Sequence, residues 1–321
     1  MLRYRRFTRS LTIGGDELRT PRAAALSEQV RLGRVGADET ALPRRREIDA
    51  DWCPGVAAGS RTDRSGQQFR KEHLMSVEHE DLDLRPLTAL VTGATSGIGR
   101  AVAERLAADG MSVVVTGRNA QRGAETVDEI TAAGGEARFV QADLEDPAGI
   151  DRLAAEVGEI DVLVNNAGHA VWAPTEEMKV FEYDAMFAGN VRAAFFLVAA
   201  FAPAMAAKGS GSVINMGSMA GSLGLARAAA YGATKAALAS LTQSWTAEYS
   251  GRGVRFNTVA PGPVYTPGAP RELFDAIAET TAMKRAAEPA EIAEVVAFLA
   301  SPKAGYVTGA TVAVDGGRTA I

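Results

Sequence analysis

The 321-residue sequence has a single cysteine, Cys53, and only three histidines, His73, His79 and His169. One thiol makes neither a disulfide framework nor a cysteine-based metal site, and the histidines are too scattered to form a ligand set. Aromatic residues are sparse at 6%. The apolar run Ala193 to Ala207, bounded by Arg192 and Lys208 and broken by Pro203, falls short of the roughly 20 residues needed to span a bilayer. It reads as a buried helix or one that packs against another subunit. An excess of positive charge is missing too, the formal net charge being −5. Residues 1–74 hold 15 Lys and Arg against 10 Asp and Glu, which leaves 19 against 29 for residues 75–321. That acidic body argues against nucleic acid as a partner.

Sustained periodicity is absent from residues 1–84, which carry Arg44-Arg45-Arg46 and scattered Gly, Pro and Ser. The expectation is a mostly disordered extension ahead of one domain over 85–321. Its opening, Met-Leu-Arg-Tyr-Arg-Arg-Phe-Thr-Arg-Ser, is arginine-rich and acid-free like a mitochondrial transit peptide. Asp16, Glu17, Glu28, Asp38 and Glu39 follow soon after, so a cytoplasmic location is expected ahead of targeting. Two readings of the segment stay open: a genuine extension, or residues upstream of a true start at Met75.

From Leu87 the pattern changes. Thr88–Thr92, Ser112–Thr116, Ala137–Gln141, Asp161–Val164, Ser212–Met216, Val254–Val259 and Thr311–Val314 read as seven strands. Alanine-rich helical stretches such as Ile98–Asp109 and Pro147–Val157 lie between them. Repeated βα units predict an α/β fold, a Rossmann-type doubly wound parallel sheet covered on both faces in a single domain.

After the first strand comes Thr92-Gly93-Ala94-Thr95-Ser96-Gly97-Ile98-Gly99. Glycines at a strand-to-helix turn let backbone approach a pyrophosphate, and the helix N-terminus offers free N–H groups and a positive dipole end. A tight turn with no ligand has the same composition, but the strand before and the helix after favour a nucleotide site. At the end of the second strand no acid stands at 116–118 to grip the 2′-hydroxyl of NAD. Arg118 stands there instead, with Arg122 one turn on, and an arginine accommodates the 2′-phosphate of NADP. Asp143-Leu144 and Asn165-Asn166-Ala167-Gly168 end the third and fourth strands, where ligands bind in open α/β sheets.

The stretch that carries chemistry is Ser218 to Lys235. If Tyr231 opens a helix, Lys235 lies one turn on along the same face. An ammonium there would pull the phenol down from its usual pKa of about 10 toward neutral pH. Ser218, at the end of the strand before, can hold a carbonyl oxygen. Alone, Tyr-x3-Lys is more often an ordinary helix start with a solvated lysine; the other stretches change that balance.

With Thr-Gly-x3-Gly-Ile-Gly, Asn-Asn-Ala-Gly, Ser218, Tyr-x3-Lys and Pro261-Gly262 in this order, the chain resembles the short-chain dehydrogenase/reductase family over about residues 86–318. Tyr306-Val307-Thr308-Gly309 and Val314-Asp315-Gly316-Gly317 look like the family's ending. The segment Lys284 to Pro289 is similar to 3-oxoacyl carrier-protein reductases. The resemblance implies Tyr231 as general acid/base, Lys235 lowering its pKa and binding the nicotinamide ribose, and Ser218 orienting the substrate oxygen. Asn190 would hold a water in a proton relay behind the lysine. Gly93, Ser96, Gly97, Ile98 and Gly99 would cradle the pyrophosphate, Asp143 and Leu144 the adenine, and Asn165, Ala167 and Gly168 the adenosine side. Pro261-Gly262-Pro263-Val264-Tyr265-Thr266 matches PGxVxT, so the Val264 backbone and the Thr266 hydroxyl would hold the carboxamide.

The expected activity is hydride transfer between NADP(H), or NAD(H), and a small carbonyl or alcohol substrate, with no metal. The resemblance also implies a homo-oligomer, a tetramer or dimer, paired through the Ala193–Ala207 helix and the helix after Lys235. A silent dinucleotide-sensing module of the same fold is the alternative. Its signature, loss of Tyr231 or Lys235, is absent. A surface- or nucleic-acid-binding role for the arginine-rich extension is disfavoured by the acidic body, and the substrate is not legible.

Overall fold

The computed structural model describes residues 86–321, so the expected extension over 1–84 and the start at Met75 lie outside the described residues. Seven strands alternate with helices: β1 (Thr88–Thr92), α1 (Gly97–Ala108), β2 (Ser112–Gly117), α2 (Ala120–Ala132), β3 (Glu136–Gln141), α3 (Pro147–Val157) and β4 (Val162–Asn165). They continue with α4 (Val180–Phe187), α5 (Ala193–Lys208), β5 (Gly211–Met216), α6 (Ala229–Tyr249), β6 (Val254–Pro261), α7 (Arg271–Ala278), α8 (Pro289–Ala300) and β7 (Thr311–Val314). All pairs are parallel, in the order β3-β2-β1-β4-β5-β6-β7. The predicted doubly wound sheet is therefore present, and its strand order reverses between β1 and β4, where such folds open a ligand crevice.

Strand alternation explains the two cores. Ala89 and Val91 of β1 face one side, packed with Val102 and Leu106 of α1 and Ile292 and Val296 of α8. Leu90 faces the other, packed with Leu153 of α3, Leu197, Phe201 and Met205 of α5, and Trp245 of α6. Buried aliphatic side chains of this size each stabilise the fold by about 1.5–3 kcal/mol, which makes the central strands a rigid base for the loops at their carboxyl ends.

Boundaries move little from the sequence expectation. The strand read as Asp161–Val164 starts at Val162, because the Asp161 carboxylate turns back to accept from Thr88 N (2.8 Å) and pairs with Lys208. β6 runs on to Pro261, where it pairs with Val314. The apolar segment departs more. It joins α4 through a π-helical turn at Ala188–Arg192 to give continuous helix over Val180–Lys208, 29 residues, long and apolar enough by length and composition to cross a membrane. The expectation counted only its C-terminal half. In the fold, Leu197, Val198, Phe201 and Met205 of that helix are buried against the sheet, as a core helix requires.

Candidate active site

At the crevice, Gly93 (φ +64°) and Gly97 (φ +55°) adopt the left-handed conformation that favours glycine. Gly99 answers a different need: a Cβ there would sit 2.4 Å from the Gly93 carbonyl oxygen and 2.3 Å from Asn166 Nδ2. The turn is tied to β4 by Thr92, whose Oγ1 donates to the Val164 carbonyl (3.1 Å) and accepts from the backbone N–H of Asn166 (2.9 Å) and Ala167 (3.0 Å). Asn166 Nδ2 donates back to the Thr92 carbonyl (2.8 Å). Ser96, the N-cap of α1, makes no side-chain cap bond, and the first turn holds no acid. The N–H groups at that helix start, next to Ile98, therefore face the crevice without an internal anion, which fits a dinucleotide pyrophosphate. Thr266 forms the facing wall, its Cγ2 being 3.3 Å from where a Gly97 Cβ would stand.

Along the same edge, Arg118 follows β2, exposed, with its carbonyl accepting from Gln141 Nε2 (2.9 Å) and its Nη1 3.5 Å from Glu145 Oε1. Asp143 and Leu144 follow β3; Asp143 Oδ1 accepts from Glu145 N (3.0 Å), and Leu144 is buried. Ala167 and Gly168 follow β4. Asn165 is placed differently from the rest: its side chain turns into the sheet, Nδ2 donating to Asn215 Oδ1 (2.9 Å), so only its backbone reaches this edge.

The catalytic candidates converge from three elements. Ser218 leaves β5, accepts from Ala220 N (3.2 Å) and stands next to the Tyr231 phenol. Tyr231 is the third residue of α6, and Lys235 follows one turn on. Lys235 is buried; its Nζ donates to the Met216 carbonyl (2.8 Å) and lies 5.7 Å from the Tyr231 ring centroid. Burial pulls Lys235 down to about 8. Burial also pushes Tyr231 up, partly offset by the neighbouring Ser218 hydroxyl. The expected depression of the phenol by the ammonium is thus not what the protein's own groups produce: Lys235 spends its proton on a carbonyl, and desolvation dominates.

Asn190 sits in the π-helical turn, 1% exposed rather than facing solvent. Its Oδ1 accepts from His169 N (2.9 Å), and its Nδ2 donates to the His169 carbonyl (2.9 Å) and to Thr234 Oγ1 (3.0 Å). Thr234 in turn donates to the Tyr231 carbonyl (2.7 Å). Gly168 makes this possible, since a Cβ there would lie 2.7 Å from Asn190 Oδ1 and 3.6 Å from Lys235 Nζ.

Pro261 ends β6. Gly262 packs so closely on Asp315 that a Cβ would stand 2.7 Å from its Cα, and Val264 is buried in a bridge with Ala287. Beyond Thr266, α7 is held at the surface: the Tyr265 hydroxyl donates to Asp275, Arg271 stacks on the Tyr265 ring at 3.5 Å, and Arg271 pairs with Glu288 (3.2 Å). No group of metal-ligating side chains forms among the described residues.

Sequence reasoning missed the roles of Thr92, whose hydroxyl joins β1 to the backbone at the end of β4, and of Thr234, whose hydroxyl joins the Asn190 side chain to the Tyr231 carbonyl. It also missed Trp172, a half-exposed indole 6.0 Å from the Tyr231 ring. Its loop is clipped to Arg227, which has φ 67° and accepts from Ala173 N (3.0 Å). An exposed tryptophan four residues past Asn-Asn-Ala-Gly was the available signal.

Residues 93–319 match the family described as enoyl-(acyl carrier protein) reductase. A 3-oxoacyl-acyl-carrier-protein reductase of Staphylococcus epidermidis is 39% identical over 238 residues, 72% of this chain and 98% of that protein. Among solved structures, a short chain dehydrogenase/reductase family protein is 49% identical with TM-score 0.71, covering 75% of this chain and all of the other. A blue fluorescent protein from a metagenomic library, in complex with NADPH, is 37% identical with TM-score 0.69, covering 74% of this chain and 99% of the other. With the glycine turn, the parallel seven-stranded sheet and the Ser-Tyr-Lys cluster in place, the chain belongs to the short-chain dehydrogenase/reductase family of oxidoreductases.

Proposed function

We propose that the protein interconverts a small carbonyl compound and its alcohol, with NADP(H) preferred and NAD(H) accepted. The observation that carries this reading is Tyr231 with Lys235 one turn along α6, its Nζ buried 5.7 Å from the Tyr231 ring, and Ser218 next to the phenol. Gly93, Ser96, Gly97, Ile98 and Gly99 would hold the pyrophosphate, Asp143 and Leu144 the adenine, Arg118 the 2′-phosphate, and Val264 with Thr266 the carboxamide. The bound dinucleotide supplies or takes up the hydride at its nicotinamide ring. Negative charge grows on the substrate oxygen during reduction; Ser218 stabilises it by a hydrogen bond, and Tyr231 Oη neutralises it by giving its proton. In the oxidative direction Tyr231 takes the proton back. Lys235 would bind the nicotinamide ribose, and Asn190 positions the loop ahead of it. Support for NADP(H) comes from Arg118 in place of an acid and from the NADPH-bound relative.

The Tyr231→Phe variant tests the assignment. Removing the phenol oxygen keeps the ring packing, so turnover is expected to fall by about 10² to 10⁴ while NADPH binding persists. A near-parental rate on a confirmed substrate would falsify the role. A screen of ketones, sugars, steroids and acyl thioesters with both reduced nicotinamides identifies that substrate. The name of the staphylococcal relative makes 3-oxoacyl thioesters the first arm.

The same reading includes a homo-oligomer, a tetramer. Val180 and Phe181 of α4 and Phe195 and Phe196 of α5 stand exposed along one continuous helix, more apolar surface than a lone subunit normally leaves in water. Light scattering is expected to report the assembly; a stable monomer at micromolar concentration rules it out.

A further inference from the structure

The proposed phosphate-binding arginine is already engaged by a carboxylate. Arg118 Nη1 lies 3.5 Å from Glu145 Oε1, and Glu145 is the residue directly after the Asp143-Leu144 pair at the carboxyl end of β3. Glu145 is itself held in place. Its backbone N–H donates to Asp143 Oδ1 (3.0 Å), its carbonyl accepts from Arg192 Nη2 (2.6 Å), and its Oε1 is 3.8 Å from His169 Nδ1. Arg118 is anchored from the other side by Gln141 Nε2 on its carbonyl (2.9 Å). Both partners thus have fixed backbones, and their side chains meet at the edge where the dinucleotide's adenosine end would lie.

We infer that Glu145 is a specificity-determining residue: by pairing with Arg118 it competes with the 2′-phosphate of NADP(H) and narrows the protein's discrimination against NAD(H). The inference rests on the reading of Arg118 given above. A 2′-phosphate carries about −1.5 to −2 charges near neutral pH, so to reach the guanidinium it must displace the carboxylate or sit beside it. Either route weakens binding of the phosphorylated dinucleotide. A 2′-hydroxyl makes neither demand, and the non-phosphorylated dinucleotide is indifferent to the pair. The residue therefore acts on the ratio of the two affinities rather than on binding as a whole. Because the pair is partly exposed, its effect is modest and screened by salt.

The test uses the full chain with 2′,5′-ADP and 5′-AMP as probes, which differ by the one phosphate at issue. Dissociation constants are measured calorimetrically at low and high salt for the parent, Glu145→Gln, Arg118→Ala and the double variant, with NADPH and NADH binding alongside. Glu145→Gln is expected to raise the preference for 2′,5′-ADP over 5′-AMP by about two- to fivefold at low salt and to leave 5′-AMP affinity unchanged. The gain should shrink at high salt and vanish in the Arg118→Ala background. The unchanged 5′-AMP affinity also reports that the variant is folded. Glu145→Lys, which replaces the competitor with a second cation, is expected to exceed the Gln variant and keeps the inference testable if the latter is poorly folded. If Arg118→Ala lowers the preference but neither Glu145 variant raises it, the inference about Glu145 is overturned while the Arg118 reading stands. If Arg118→Ala itself leaves the preference unchanged, the Arg118 reading fails and the inference with it. A Glu145→Gln gain that persists undiminished without Arg118 would also overturn it, as a charge effect that does not pass through the pair.

Discussion

Two polar networks of the domain, one joined to Tyr231 through Thr234 and one beyond Thr266, are built to opposite rules. Asn190, Thr234 and the His169 backbone form a closed, buried set in which the amide donates twice and accepts once. Tyr265, Asp275, Arg271 and Glu288 form an exposed set that holds α7 at the surface beyond Thr266. Buried hydrogen bonds are strengthened by the low dielectric and costly to leave half-made, whereas exposed charge pairs contribute little and are screened. The first network therefore fixes the frame around Tyr231 and Lys235. The second holds α7 by contacts that cost little to rearrange.

The comparison can be broken most sharply at Gly168. A methyl group there meets Asn190 Oδ1 and approaches Lys235 Nζ, so Gly168→Ala is expected to destabilise the protein by about 1–3 kcal/mol through overpacking. Turnover should fall with it. Denaturant unfolding and an absorbance assay at 340 nm, the usual reduced-nicotinamide band, check the two effects; a variant with parental stability and rate would show that the frame tolerates rearrangement.

A second, smaller effect follows from Lys235. Its folded pKa is lowered to about 8 by burial, from 10.5, so below pH 8 the charged form is buried at a cost to stability of order a few kcal/mol. Between about pH 8 and 10 the folded state sheds that proton while the unfolded state keeps it, and stability rises with pH. Above that window the raised Tyr231 pKa acts in the opposite sense. Unfolding of the dinucleotide-free protein at pH 7.5 and 9.5 is expected to show the parent gaining on a Lys235→Met variant; parallel curves would mean that Lys235 titrates normally.

The exposed network should give the smallest response. Asp275→Ala removes the acceptor of the Tyr265 hydroxyl. It is expected to leave the melting temperature unchanged and to alter the substrate KM by about two- to fivefold, the scale of exposed polar pairs, with kcat unaffected. A large fall in melting temperature would place this set with the buried one.

Much of the fold was legible in the sequence because strand alternation and helix spacing are local patterns. Thr88–Thr92, Pro147–Val157 and Thr311–Val314 have the predicted ends, and the glycine turn after Thr92 lies at the strand-order reversal. Spacing and phenol chemistry singled out Ser218, Tyr231 and Lys235, the resemblance added Asn190, and the structure gathers all four around Gly168 and the start of α6. What it did not carry was which way each side chain turns. Asn165 faces the sheet instead of the crevice edge, Thr92 and Thr234 lie inside motifs that leave their hydroxyls without a role, and Trp172 belongs to no motif.

The sequence by itself determined the alternation of strands and helices, the glycines at the left-handed turn positions and the one-turn spacing of Tyr231 and Lys235, since each depends on backbone preferences over a few residues. Only the tertiary structure decided the ionisation of the pair and the partner of Arg118. Burial of Lys235 and Tyr231 depends on β5 and α6 closing together, and the carboxylate that meets Arg118 lies 27 residues on, past the end of the next strand. Desolvation and long-range charge pairing are properties of the assembled interior and its edges, and no local pattern encodes them.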